Sequence, residues 1–258
     1  MSITRGQFLR SLGKSLPGMV ASTGVATAAH ALIRRVAQAV PPDEPVAAPK
    51  AAEPPIPYLQ KGPDTGNAIA LTFDDGPEPG VTERILDTLQ AHGLRATFFM
   101  IGEKVAASPE LARRVAENHE IGHHTYTHRK LTELADAEVQ QELDKTDAIF
   151  MEVLGRRAEW FRPPFGALRQ NQAARVLSRG MRVALWSLDA EDWRGGPGAA
   201  VTERILTHIH PGAIVLCHET PVTAESLDAT LCQLRDTQPW RAVTLTELVS
   251  SSAHATLG

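Results

Sequence analysis

The stretch Ala68-Ile69-Ala70-Leu71-Thr72-Phe73-Asp74-Asp75-Gly76-Pro77 decides how the rest of the chain is read. Its first part is a short apolar strand pattern, and two adjacent carboxylates stand where that strand ends. Further along, Gly122-His123-His124-Thr125-Tyr126-Thr127-His128 packs three histidines into one short segment. One carboxylate with two imidazoles makes a ligand set for a divalent metal, and a second carboxylate is then left over as a base. Metal-assisted hydrolysis needs that combination: three protein ligands, an open position, and a proton acceptor. Spacing alone does not choose which two of His123, His124 and His128 would bind. Taken singly, an HxxxH pair is more often two surface residues on a helix, and adjacent carboxylates more often cap a helix or a turn.

Outward from this stretch, strand and helix patterns alternate. Val81, Ile85 and Leu89 recur at helical spacing over 81–92, with Gly93 after the end. A strand follows at 96–101, a helix at 109–119, and Glu120-Ile121-Gly122 leads into the histidines. The pattern continues with a helix at 132–154, a strand end at Trp160-Phe161-Arg162-Pro163-Pro164, a helix at 171–179 and a strand at 182–187. It closes with a helix at 199–210, a strand at 213–217, a helix at 224–236 and a last strand near Ala242-Val243. Repeated βα units predict an α/β fold with a parallel sheet, and this many in one domain predict a closed or nearly closed barrel. Asp74, Asp75, His124, His128, Arg162, Asp189, Asp192 and His218 all fall at or just after predicted strand ends, where barrel active sites are built.

With 258 residues, 43% of them hydrophobic and 22% charged, the chain can bury one large domain and still carry a tail. The net charge of −4 is scattered, so there is no electrostatic footprint for nucleic acid or for an anionic membrane surface. The two cysteines, Cys217 and Cys232, are too few for a disulfide framework or a zinc ribbon. Cys217 sits in an apolar run and reads as a core thiol, and a Cys217–Cys232 pairing stays open until the sulfurs are located.

The N-terminus has its own character. Thr4-Arg5-Gly6-Gln7-Phe8-Leu9-Arg10 precedes a weakly apolar stretch over 16–33, then Arg34-Arg35 and the small residues around Ala37-Gln38-Ala39. Residues 1–40 therefore read as an export signal, with a single membrane anchor as the alternative, although the apolar stretch is marginal for a span. Residues 41–66 are rich in Pro and Ala and read as an extended linker, which puts the folded domain at 67–258.

Five short motifs occur in order: Thr72-Phe73-Asp74-Asp75-Gly76, His124-Thr125-Tyr126-Thr127-His128, Arg162-Pro163-Pro164-Phe165-Gly166, Asp189-Ala190-Glu191-Asp192-Trp193 and Leu216-Cys217-His218. On these, the chain resembles the polysaccharide deacetylases with a NodB homology domain, carbohydrate esterase family 4, over roughly 67–249. The resemblance implies a distorted (β/α)7-type barrel, in agreement with the strand and helix pattern. It implies a divalent cation, most often Zn²⁺ with Co²⁺ or others serving, held by Asp75, His124 and His128. Asp74 would be the general base and Arg162 its charge partner. The Phe165 backbone N–H would meet the oxyanion, with Phe where the family commonly has Tyr.

His218 would be the general acid, tuned by Asp192 or, as the second choice, Asp189. Trp193 and Leu216 would wall the acetyl methyl group. His123 stands where the family usually has Asn and is expected to play a supporting part. The N-terminus also resembles a twin-arginine signal, with Gly6 in place of the second arginine.

The implied activity is removal of N-acetyl groups from N-acetylglucosamine units of a peptidoglycan-like or chitin-like glycan in the periplasm or cell envelope, with release of acetate. An O-acetyl esterase of the xylan type and a catalytically silent carbohydrate-binding protein are the alternatives. No GxSxG elbow is present to support a serine acyl-enzyme. Aromatic residues make up only 5% of the chain, which favours a short or soluble glycan over an extended crystalline one.

Overall fold

Strand β2 (Ala68–Gly76) carries the diagnostic stretch and is buried along most of its length, which is why it reads as a nearly unbroken apolar run. The computed structural model describes residues 56–237 and 239–253, so the export-signal or anchor assignment at 1–40 and most of the linker lie outside the described residues. Among the described residues, no helix is long and apolar enough to cross a membrane.

Around β2 stand β1 (Tyr58–Leu59), β3 (Thr97–Met100), β4 (Glu120–His123), β5 (Trp160–Phe161), β6 (Arg182–Ala184), β7 (Leu188–Asp189), β8 (Ile214–His218) and β9 (Arg241–Val243). They form one nine-stranded sheet in the order β1-β6-β5-β4-β3-β2-β8-β7, with β9 on β2. Every pairing is parallel. The start of β2 pairs with β9 and its end with β8, where Asp74 stands opposite His218. No ladder joins β6 to β7 among the described residues, so the sheet curls into an incomplete barrel, the distortion expected of this fold class.

The connections are α1 (Thr82–Ala91), α2 (Gly102–Ala107), α3 (Pro109–Asn118), α4 (Asp136–Leu154), α5 (Gln170–Ser178), α6 (Gly198–His208), α7 (Pro221–Thr237) and α8 (Leu245–Ala253). The strand period of two sends alternate residues to two cores. Ile69, Leu71, Phe73, Phe98 and Val215 meet Ile85, Leu89 and Leu231 from the helices. Ala70, Phe99, Trp160, Ala184 and Ile214 gather on the other face. Ile85 and Leu89 are fully buried, and each such side chain contributes roughly 1.5–3 kcal/mol.

Three elements differ from the sequence expectation. Ahead of the expected domain start at 67, Tyr58 and Leu59 pair with Val183 and Ala184, and the Gly62 N–H donates to the Gly212 carbonyl at 2.8 Å. Prolines flank this dipeptide, but its own N–H and C=O groups remain free to join a ladder. The helix expected at 132–154 begins only at Asp136, after a 3-10 turn at Leu131–Glu133. There Glu138 accepts the Ala135 N–H at 3.0 Å, and the helix stops at Gly155, whose φ of 67° suits glycine. Strand β7 falls between the expected strand at 182–187 and helix at 199–210, and it is too short to show a periodicity.

Candidate active site

Asp74 and Asp75 are neighbours in a strand, so regular geometry would send their side chains to opposite faces. A register break between Asp74 and Gly76, with Asp75 at φ 73°, turns both toward the C-terminal mouth of the sheet. A Cβ at Gly76 would collide with the Glu219 carboxyl, so any larger residue would displace that side chain. Among the described residues, the non-glycine positive-φ positions are Asp75, Thr125, His128, Phe165 and Glu191. All lie in or beside the five motifs. Strained backbone of this kind persists where the surrounding structure over-determines it, as at ligand and catalytic sites.

The mouth holds a cleft of about 400 Å³ lined by Asp74, Asp75, His124, His128 and His218 on its polar side. Phe165, Trp193, Trp186 and Leu216 form its apolar wall. Phe165 and Trp193 are 66% and 56% exposed, large apolar surface left bare at the rim of a polar cleft.

Asp75, His124 and His128 come together. The Asp75 Oδ1 lies 3.3 Å from His124 Nε2 and 3.2 Å from His128 Nε2. This is the spacing, roughly 3.3 Å, of donors that each stand about 2.0–2.1 Å from one tetrahedral ion. Asp75 Oδ1 is buried without a hydrogen-bond partner of its own, so the oxygen is aimed at the imidazoles and satisfied by neither. Burial opposes the charge of Asp75, but the adjacent imidazoles, His124 first, outweigh it and hold the carboxyl well below its usual range. Burial pushes the His128 imidazole down, which keeps it neutral and able to bind a cation. The His124 Nδ1–H donates to the Arg162 carbonyl at 2.7 Å and leaves the Nε2 lone pair to face a cation. The donor set fits a divalent metal of the zinc type, with no thiolate to close it as a purely structural site.

His123 is not part of this set. Its ring is fully buried near Phe150 and Phe161, where Nδ1 accepts the Thr125 N–H at 3.1 Å and Nε2 faces the Leu143 carbonyl at 3.4 Å. Burial lowers its pKa to about 4, so it acts as a neutral brace for the loop.

Asp74 faces the same cleft from the other side. Its Oδ1 accepts from Arg162 Nη1 at 2.6 Å, and its Oδ2 lies 3.7 Å from His124 Nε2. Arg162 is fully buried, donates also to Thr72 Oγ1 and the Leu185 carbonyl at 2.9 Å each, and stacks its guanidinium 4.1 Å above the Phe99 ring. A charge desolvated this deeply needs such partners, and the pairing fixes Asp74 with one oxygen left over.

His218 Nδ1 lies 2.8 Å from Asp192 Oδ1, whose other oxygen takes the His218 backbone N–H at 2.6 Å and the Thr223 hydroxyl. Burial works against the imidazolium, but the hydrogen bond and charge of Asp192 overcome it and raise the His218 pKa to about 8. Asp189 is the carboxylate left out. Its Oδ1 takes the Glu191 N–H at 2.8 Å, and it lines the cleft without bonding His218.

Two residues escaped the sequence reading. Glu142, buried on α4, accepts the backbone N–H groups of Tyr126 and Thr127 at 2.9 and 2.8 Å and the Thr127 hydroxyl at 2.6 Å. It ties down the loop that carries His128. Glu219, pushed up to about 8 by burial, accepts from the Thr82 hydroxyl and fills the space beside Gly76. Neither belongs to a motif: Glu142 is a lone glutamate in a helical pattern and Glu219 directly follows the strand that ends at His218, and neither pattern gives a sign of what the carboxyl will bond.

Comparison with known proteins bears on the family and the fold. The family model described as polysaccharide deacetylase matches residues 61–184. A peptidoglycan-N-acetylglucosamine deacetylase of Bacillus cereus is 35% identical over 201 residues, which cover 76% of this chain and 73% of that one. Against longer relatives from Listeria monocytogenes, 39% identical, the match covers 41% of their length. Among solved structures, a peptidoglycan N-acetylglucosamine deacetylase superposes with a TM-score of 0.72 at 34% identity, covering 75% of this chain and 92% of that one. A pseudoenzyme of carbohydrate esterase family 4 from Bacillus anthracis superposes at 0.71 with 30% identity, covering 74% and 68%. The chain belongs to the polysaccharide deacetylase family, carbohydrate esterase family 4. Its enzyme class is thus that of hydrolases acting on the amide bonds of acetylated glycans.

Proposed function

We propose that this chain is a metal-dependent N-deacetylase of N-acetylglucosamine units in a peptidoglycan-like or chitin-like glycan, working outside the cytoplasm in the cell envelope. The observation that carries this reading is the unpartnered Asp75 Oδ1 facing two imidazole nitrogens. The names of its relatives support the substrate class. The presence of a pseudoenzyme among them makes completeness of the catalytic set the deciding point. Here each position carries a residue of the required chemistry.

Asp75, His124 and His128 would hold a divalent cation, most often Zn²⁺ in sites of this donor type, which would supply Lewis-acid polarisation and acidify water. Asp74, aimed by Arg162, takes the proton of the attacking water through its remaining oxygen. The Phe165 N–H, on the strained turn above the cleft, is the donor for the developing oxyanion. His218 holds its proton near neutral pH, and with Nδ1 turned to Asp192 its Nε2 proton is the one offered to the leaving nitrogen. Water's oxygen goes to the acyl carbon, the C–N bond breaks, and acetate and a free amine leave. Trp193 and Leu216 provide the apolar wall for the acetyl methyl.

The test is acetate release from chito-oligosaccharides and peptidoglycan fragments, with and without chelation and Zn²⁺ add-back. Release that stops with chelator and returns with metal supports the proposal. Release only from O-acetyl esters would replace it with an esterase, and no release by metal-loaded protein would leave a carbohydrate-binding role.

A further inference from the structure

A second group of metal-type donors lies at the opposite end of the sheet from the catalytic mouth. His92 is the C-terminal cap of α1, and its Nε2 lies 2.8 Å from Asp228 Oδ1 on α7. One turn further along α7 is Cys232, a free and half-buried thiol, and the three donor atoms all lie within 4.8 Å of one another. Leu227, Leu231 and Leu234 anchor α7 in the core, which holds Asp228 and Cys232 on one face toward His92. A hollow of about 280 Å³, walled by Ile69, Leu231 and Trp240, opens beside them.

We propose that His92, Asp228 and Cys232 form a second cation site, independent of the catalytic one, for a zinc-like divalent ion. A hydrogen-bonded imidazole–carboxylate pair needs no cysteine beside it. The thiol turns that pair into a mixed N, O and S donor set, which suits zinc-like ions and not magnesium or calcium. Tetrahedral donors about 2.0–2.3 Å from an ion stand roughly 3.3–3.8 Å apart, so the set closes with a shift of about 1 Å. Asp228, 72% exposed, has the side-chain freedom to make that shift. Arg235 interacts with the Cys232 sulfur and pairs with Asp236 at 3.1 Å, so a cation-bound sulfur here has a polar neighbourhood. The Cys232 proton is released to solvent as the metal–sulfur bond forms. The ion would tie the end of α1 to α7 and stabilise the fold by mass action.

The catalytic donors include no sulfur, and the only other cysteine, Cys217, is 2% exposed inside β8. A thiolate-to-Co²⁺ charge-transfer band therefore reports Cys232 alone. The full chain, chelated and kept reduced, is titrated with Co²⁺ while absorbance and thermal midpoint are followed. The proposal expects about two equivalents bound, a thiolate band at stoichiometric metal, and a rise in midpoint. His92→Asn, Asp228→Asn and Cys232→Ser should each remove the band and one equivalent, while His128→Ala keeps the band and loses the other equivalent. Asp228→Asn touches only an exposed side chain and keeps the test valid if Cys232→Ser folds poorly. A wild-type titration without the band overturns the proposal, as does a band that survives Cys232→Ser.

Discussion

The two histidine groups that share the cleft are held in opposite ways. Around His218 both oxygens of Asp192 are satisfied: they take the ring Nδ1, the backbone N–H and the Thr223 hydroxyl. Around His124 and His128 the donors converge and leave Asp75 Oδ1 with nothing. A closed pair fixes a proton and sets its pKa, whereas an open set waits for a charge from outside. The first behaves as an acid, and the second behaves as a ligand sphere. Backbone geometry follows the same division, because positive φ occurs at Asp75 and His128 but not at His218 or Asp192.

The comparison breaks most visibly at the open set. His128→Ala should remove the metal equivalent held by Asp75, His124 and His128 and lower deacetylation by more than roughly 10³-fold, since the cation's contribution amounts to several kcal/mol. Metal analysis beside acetate release checks it. Full turnover by protein shown to be metal-free would end this division of labour.

Asp74→Asn comes next, with a loss of about 10²–10⁴-fold as for a general base. Its oxygen toward Arg162 is preserved as an amide carbonyl, and the metal donors are untouched, so metal content should hold at the wild-type level. An active, metal-loaded Asp74→Asn protein would move the base elsewhere.

His218→Ala sharpens the other half. The loss should be about 10²-fold or more on amides and much smaller on esters whose leaving group needs no proton. Because the pKa of His218 is raised to about 8, the acid is present below that pH and lost as pH rises through it, so amide turnover should fall on the alkaline side. Asp192→Asn removes the cause of the elevation and should carry this limb to lower pH. The linked stability has the same sign: it is fully present below the ordinary histidine value of 6.5 and lost through about 8. An alkaline limb that ignores Asp192→Asn would separate His218 from the proton transfer.

Much of this was legible in the sequence because the chemistry sits at strand ends, and strand ends are marked by where an apolar run stops. Asp74, Arg162 and His218 each follow such a run, and Trp160-Phe161 needed only two residues to announce Arg162. The choice of His124 over His123 was not in the spacing. It depends on which face of β4 ends toward the cleft, and on the turn that places Thr125 and His128 at positive φ. Strands β1 and β7 were hidden because two residues carry no period.

Glu142 was the least legible contributor and gives the smallest of the effects. It lies in α4, far in sequence from either motif, yet one carboxylate receives three donors from the histidine loop. Glu142→Ala would leave two half-buried backbone N–H groups and a hydroxyl without their acceptor, at a cost of about 1–3 kcal/mol for each group that water cannot reach. That cost falls on the loop and not on the acid–base pair. Metal affinity should therefore weaken by about 10–100-fold, the range for groups that orient a ligand, with kcat at saturating metal little changed. Glu142→Gln keeps an acceptor and should recover most of the affinity. If Glu142→Ala instead shifted the alkaline limb set by His218, the two halves of the cleft would be coupled through the loop.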